Sequence, residues 1–154
     1  MAIGTNDHIE KFGTTDEVIN VAGTTVSNDA FSDSGDMTAW TNDDDAVIAT
    51  AILDATMGVS PTAGSTIDLY VRLLNISDTT QDQNVPSSTF SQVYLGSFGM
   101  DSGGTAQISA IEIGLPNAQT SQQYEFYFFN NGTGTTVAVG STVDVVPKAI
   151  GPSA

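Results

Sequence analysis

The chain has 154 residues, of which 40% are hydrophobic and 14% are charged, and it contains no cysteine, which excludes disulfides, thiolate metal sites and cysteine nucleophiles. Three Lys and Arg residues stand against 18 Asp and Glu residues, so the formal net charge is −15. Because phosphate backbones and anionic lipids are bound by clustered Lys and Arg, this balance predicts a protein that binds neither nucleic acid nor a membrane.

The N-terminal segment has large apolar side chains only at wide spacing, at Ile3, Ile9 and Phe12. It also lacks the basic stretch and apolar core of a secretory signal, so we expect assembly in a cytoplasm. The pattern changes after residue 15, where apolar residues become dense, and again after Pro147. The predicted organisation is an extended N-terminal arm at residues 1–15, a β-sandwich domain at 16–147 and a loose C-terminal tail at 148–154.

The central part of the chain shows alternating or apolar runs separated by turn-rich loops, without sustained helical periodicity. The clearest alternation is at 66–74, where every second residue is apolar, as on a strand with one face on the core. Residues 124–129 hold five aromatic side chains in six positions, which predicts a central, heavily packed strand. The other predicted strands are 17–21, 46–53, 90–98, 107–115, 135–139 and 142–146.

About eight strands at this spacing predict an all-β fold, an antiparallel β-sandwich of jelly-roll-like type. In the strand at 90–98, strict alternation places Tyr94 on the same side as Phe98 and on the opposite side from Ser97. In the strand at 107–115, Ile108 falls outside the alternation of the other isoleucines. We therefore expect either a bulge there or an earlier start of the strand.

Catalytic chemistry has little support in the residue set. The single histidine, His8, lies in the arm, where no rigid element would hold it as a catalytic base. Acidic residues occur in Ser- and Gly-rich segments that lack the aromatic residues expected around a glycosidase cleft. We predict a non-enzymatic protein with no catalytic, cofactor-binding or zinc-binding residues.

The acidic run Asp43, Asp44 and Asp45 is the best candidate for a cation site, since Ca²⁺ prefers carboxylate and carbonyl oxygens. The spacing does not match a calcium-binding EF-hand loop, and consecutive side chains on a strand point in opposite directions. Two alternatives stay open: a solvated acidic loop, and a structural Ca²⁺ site completed by Asp33 and Asp36.

Six segments in order along the chain carry a resemblance to a known group of proteins. They are KFGTTDEV (11–18), AFS (30–32), WTNDDDA (40–46), PTAGSTIDLY (61–70), YLGSF (94–98) and NNGTG (130–134). Over residues 11–147 the chain resembles small virion structural proteins of tailed bacteriophages. One departure is Leu115-Pro116-Asn117, where related variants have two consecutive prolines.

The resemblance implies a jelly-roll head decoration, or cement, protein on the outer surface of the phage head, assembled in the host cytoplasm. Its partners would be the major capsid protein and neighbouring copies of itself, as a homotrimer. Under this hypothesis Ile3, Ile9 and Phe12 dock into the capsid shell or a neighbouring copy.

The competing interpretation is a receptor- or glycan-binding module of a tail fibre or baseplate, or another tail or neck part. Exposed aromatic residues would be the signature of a glycan-binding module. By parity Trp40, Tyr70 and Tyr127 are candidates for that role. Packing against neighbouring strands or subunits is the simpler expectation for all three.

Overall fold

The computed structural model describes residues 8–76, 82–87, 89, 93–118 and 121–152. Within these residues, nine strands and one short 3₁₀ helix at Ser34–Asp36 form two antiparallel sheets. The strands are β1 (His8–Phe12), β2 (Asp16–Asn20), β3 (Trp40–Asn42), β4 (Ile48–Thr56), β5 (Thr66–Leu74), β6 (Val93–Gly99), β7 (Ala106–Gly114), β8 (Gln122–Asn131) and β9 (Thr142–Pro152).

The strand order follows a nested pattern of pairs. Sheet 1 has the order β1-β9-β4-β7, with β2 beside β1 on the same edge of β9, and sheet 2 has the order β3-β8-β5-β6. Strand β2 thus pairs with β9, β3 with β8, β4 with β7 and β5 with β6. This is one long hairpin wound on itself into two sheets, the jelly-roll arrangement. The predicted antiparallel, jelly-roll-like sandwich is confirmed.

The core lies between the inner faces of the two sheets, where alternate residues of each strand are buried. On β5 the buried residues include Ile67, Leu69, Val71 and Leu73, as the alternation predicts. Strand β8 lies between β3 and β5, which confirms the central aromatic strand. Its inward side chains, all fully or almost fully buried, are Tyr124, Phe126 and Phe128.

Strand β6 departs from the strict alternation predicted for it. Phe98 is buried in the core, whereas Tyr94 is 53% exposed on the outer face. The pairing with β5 shifts by one residue between Leu69 and Tyr70, and Tyr70 pairs with Tyr94. The extra residue on β6, Leu95, forms a β-bulge, and a one-residue shift reverses the direction of every side chain beyond it.

Strand β7 has no such irregularity. It begins at Ala106 and pairs with β4 in continuous register as far as Gly114. Ile108 therefore points outward and is 77% exposed. Of the two alternatives for this residue, the earlier strand start is correct.

Where the structure describes the segments expected as an arm at 1–15 and a tail at 148–154, it shows strand at His8–Phe12 and up to Pro152. Strand β9 continues to Pro152, and β1 pairs along its last part, with Phe12 opposite Lys148. The reason is that β4 pairs with β9 only as far as residue 148, while β1 supplies backbone partners beyond that point.

The predicted strand at 135–139 is also different. Only Val137 makes ladder contacts there, as isolated bridges to Val26 and Met57. The segment closes one end of the sandwich without forming a named strand.

The position of Phe126 in the core predicts a large effect of its truncation. We expect Phe126→Ala to lower the free energy of unfolding by about 3–5 kcal/mol, because a buried phenyl ring leaves a cavity. The matched variant Phe12→Ala removes an exposed ring and should change it by less than about 0.5 kcal/mol. Urea unfolding of both variants measures the difference, and equal effects would contradict the assignment of inner and outer positions.

Candidate interaction surfaces

The first surface lies around the exposed end of strand β1. Phe12 is 63% exposed, and the Nζ atom of Lys148 lies 5.7 Å from its ring centroid, a cation–π contact. Lys148 also forms ion pairs with Glu10 at 3.6 Å and with Glu112 at 3.0 Å. These contacts connect β1, β9 and β7 across the outer face of sheet 1.

The three predicted partner contacts have different outcomes. Phe12 is on the surface, as a docking residue must be. Ile9 lies in β1, where its backbone pairs with Gly151 of β9. Ile3 lies outside the described residues. Their role in binding a partner stays a prediction.

The acidic run at 43–45 lies beside the break between β1 and β2. Gly13 donates a hydrogen bond from its N–H to the carbonyl of Pro147 at 2.9 Å. A Cβ atom added to Gly13 would lie 2.3 Å from Oδ2 of Asp44 and 2.5 Å from Cγ of Pro147. A side chain at position 13 therefore requires Asp44 and the ring of Pro147 to move. A groove of about 250 Å³ next to this contact is lined by Lys11, Phe12, Gly13, Asp44 and Ala149.

The structure does not bring the acidic residues together as a cation site. Asp43, Asp44 and Asp45 are all exposed, and no group of three or more His, Cys, Asp or Glu side chains in the described part of the chain has metal-binding geometry. The loop is held instead by buried Asn42, whose side chain pairs with both the N–H and the carbonyl of Ala46, at 3.0 and 2.9 Å. The exposure of the three carboxylates agrees with a solvated acidic loop, and the Ca²⁺ alternative stays a prediction.

The two other acidic residues considered with this run lie elsewhere, at the 3₁₀ helix. Oδ1 of buried Asp36 accepts a hydrogen bond from the N–H of Ala22 at 3.0 Å. Oδ2 of Asp33 accepts one from the hydroxyl of Thr24 at 3.1 Å. Both carboxylates therefore hold local loops.

A carboxylate cluster that the sequence does not reveal lies on the outer face of sheet 1. Asp144 on β9 pairs directly with Glu17 on β2, and Asp54 lies on the neighbouring strand β4. Burial raises the pKa of Asp144, and the negative charges of Glu17 and Asp54 raise it further. Only the register of the paired strands would have revealed this cluster, and the alternation of apolar residues does not specify the register.

The second surface lies on the outer face of sheet 2, where aromatic rings from three strands and one loop meet. Tyr70 contacts Tyr94 at 5.5 Å and Phe31 at 5.4 Å between ring centroids, both edge-on. Phe31 in turn contacts Phe129 at 4.8 Å. Of the aromatic residues considered from parity, Trp40 and Tyr127 are buried, and Tyr70 is half-buried. The exposed ring is Tyr94, which strict alternation assigned to the side of Phe98.

No protein-family model, curated protein or solved structure matches this chain. No helix in the described residues is long and apolar enough to cross a membrane. The class of protein is therefore defined by its architecture, an all-β, jelly-roll-like sandwich with a strongly acidic composition.

The close approach at Gly13 predicts that the attachment of β1 requires a residue without a side chain at position 13. We expect Gly13→Ala to cost about 1–3 kcal/mol, since the new methyl group overlaps Asp44 and Pro147. Amide hydrogen exchange in β1 should become faster. Gly23→Ala is the matched control, because a Cβ atom there meets nothing within 4 Å. Unchanged exchange in the Gly13 variant would show that the loop does not pack as described.

The raised pKa of Asp144 predicts that the contribution of this residue to the free energy of unfolding falls as pH rises. Because the folded-state pKa of Asp144 is raised, folding loses stability between its ordinary pKa of 3.8 and the raised folded value. Asp144→Asn should therefore stabilise the protein at pH 7, by a few tenths to about 1 kcal/mol, and by less in high salt. Below pH 3.8 the two proteins should converge. Asp43→Asn, the same charge change in an exposed loop, is the control for net charge.

Proposed function

We propose that this protein is a non-enzymatic structural component of a bacteriophage virion that decorates and stabilises the outer surface of the head. Its partners under this proposal are the major capsid protein and neighbouring copies, as a homotrimer. The observation that carries the proposal is the exposed ring of Phe12 on β1, which is an edge strand of sheet 1.

Strand β1 has the properties of a docking element. In the described residues it pairs only with β9, so one row of its backbone N–H and carbonyl groups faces outward. An exposed sheet edge binds another chain by main-chain hydrogen bonds, and a neighbouring apolar side chain adds an anchor. Phe12 supplies that anchor.

The charge distribution supports a position on the outside of a particle. Two of the three cationic side chains form ion pairs within the chain: Arg72 pairs with Glu125, and Lys148 pairs with Glu10 and Glu112. The negative field of the surface then repels DNA and other free copies. A shell with a basic patch would be complementary to it, so copies would gather on the particle before they gather in solution.

Copy number distinguishes head decoration from the alternatives. We expect quantitative mass spectrometry of purified phage particles encoding this chain to give a copy number comparable to that of the major capsid protein. Only a handful of copies would indicate a tail-fibre, baseplate or neck part and would contradict the proposal.

Rebinding to particles that lack the protein tests the docking residue. Phe12→Ser should weaken binding about tenfold or more, since about 1.4 kcal/mol corresponds to each factor of ten. Val59→Ser is the matched control, because Val59 is similarly exposed, at 60%, in the loop between β4 and β5. Equal binding of both variants would exclude Phe12 as the anchor.

A further inference from the structure

We propose that the outer face of sheet 2 around Tyr94 is a binding site for neutral carbohydrate. The site, called the Tyr94 surface below, is formed by Phe31, Tyr70, Tyr94, Ser97 and Asn131. This activity is separate from attachment to a head, because it uses the sheet opposite to β1.

The first argument is the β-bulge that turns Tyr94 outward. If Leu95 were part of a regular ladder instead of a bulge, strict alternation would place Tyr94 on the core side together with Phe98. Gly96 permits the bulge, since its φ is +158° and a Cβ atom there would lie 2.9 Å from Cδ1 of Ile111. Bulges recur beside functional sites, where they change the direction of one side chain. Here the result is an exposed tyrosine beside Tyr70.

The second argument is the support behind the exposed ring. Tyr70 contacts Tyr94 edge-on at 5.5 Å, and Phe31 contacts Tyr70 from the other side at 5.4 Å. The hydroxyls of Tyr94 and Ser97 share a hydrogen bond at 2.6 Å. The ring of Tyr94 is thus held at its edge and at its tip, so little conformational entropy is lost when a ligand packs on it.

The third argument is a row of polar groups beside the aromatic row. The carboxylate of Asp68 accepts hydrogen bonds from Thr66 at 2.7 Å, Ser97 at 2.6 Å and Asn131 at 2.8 Å. Asp68 is only 7% exposed, whereas Asn131 is exposed. Asp68 is therefore a positioning residue, and it orients hydroxyl and amide groups that a ligand can reach.

These two rows together indicate the ligand class. A hexose ring presents C–H groups on its face and hydroxyl groups around its rim. The face packs on an aromatic ring, whose π-surface is apolar and weakly negative, and the rim suits hydroxyl and amide partners. The buried Asp68 carboxylate and the net charge of −15 repel acidic sugars and phosphates. The chemistry therefore favours a neutral polysaccharide.

Affinity gel electrophoresis with soluble dextran, mannan and galactomannan tests the proposal, with polygalacturonate as the acidic counterpart. We expect at least one neutral polymer to retard the protein and polygalacturonate not to do so. Tyr94→Ala should weaken the binding about tenfold or more, because it removes the stacking ring. Tyr94→Phe keeps the ring and loses only the hydroxyl, so it should stay within about threefold of the unmodified protein.

The controls separate this site from the docking edge and from misfolding. Phe12→Ala removes an exposed ring on the other sheet and should leave retardation unchanged. Urea unfolding checks that Tyr94→Ala is folded. Retardation by none of the neutral polymers, by polygalacturonate alone, or equally for Tyr94→Ala would overturn the proposal. If sedimentation shows self-association that Tyr94→Ala abolishes, and no polymer binds, a second copy covers the surface and the proposal is wrong. The copy-number measurement is independent of each result.

Discussion

Strand β8 is the element on which both the core and the outer face of sheet 2 depend, because side chains pack on both of its faces. Tyr124, Phe126 and Phe128 point into the sandwich and are buried. On the opposite face Tyr127 is buried as well, and its hydroxyl donates a hydrogen bond to Glu125. Burial raises the pKa of Tyr127, and the hydrogen bond and charge of Glu125 raise it further. The same strand therefore builds the core and the base of the outer aromatic surface.

The pairing of β8 with β5 also positions Arg72, one of the three cationic side chains of the chain. Arg72 lies directly opposite Glu125 and forms an ion pair with it, with its guanidinium 5.9 Å from the ring centroid of Tyr127. A second nitrogen of Arg72 donates to the carbonyl of Gln83 at 3.0 Å, which attaches residue 83 to strand β5. In a chain with three Lys and Arg residues against 18 Asp and Glu residues, this ion pair uses one of the few positive charges available to offset the carboxylates.

The two proposed surfaces lie on different sheets and would bind their ligands through different interactions. The β1 edge offers main-chain hydrogen bonds and one apolar anchor, which is a way to bind another protein. The Tyr94 surface offers a supported ring and oriented polar groups, which is a way to bind a polyol. A jelly-roll-like sandwich can hold both because its two outer faces are independent of the core between them.

Several parts of the structure were predictable because they depend on local alternation. Strand β5 was predicted over its full length, since every second residue from Ile67 is apolar and one face of the strand is buried. The predicted alternation of strand β6 put Tyr94 on the same side as Phe98, which is wrong, because a single bulged residue is invisible in the alternation and reverses it. The end of β9 was predicted as a tail, because its partner β1 is more than 130 residues away in the sequence. The prediction of a strand at 135–139 was wrong for a similar reason. This alternating segment has no long paired neighbour, so it forms only isolated bridges at Val137.

The candidate sites follow the same division. The exposure of Phe12 agrees with its expected place in the N-terminal segment, but its contact with Lys148 depends on the β1–β9 register. The acidic run at 43–45 was evident as composition, while its exposure and the contact of Asp44 with Gly13 depend on the fold.

By itself the sequence determined the all-β class, the central aromatic strand and the acidic surface, because these follow from residue types and period-two spacing. Only the tertiary structure decided the strand register, the bulge at Leu95, the attachment of β1 and the meeting of Glu17, Asp54 and Asp144. Each of these depends on which strands lie side by side, and nested pairing brings together residues from opposite ends of the chain.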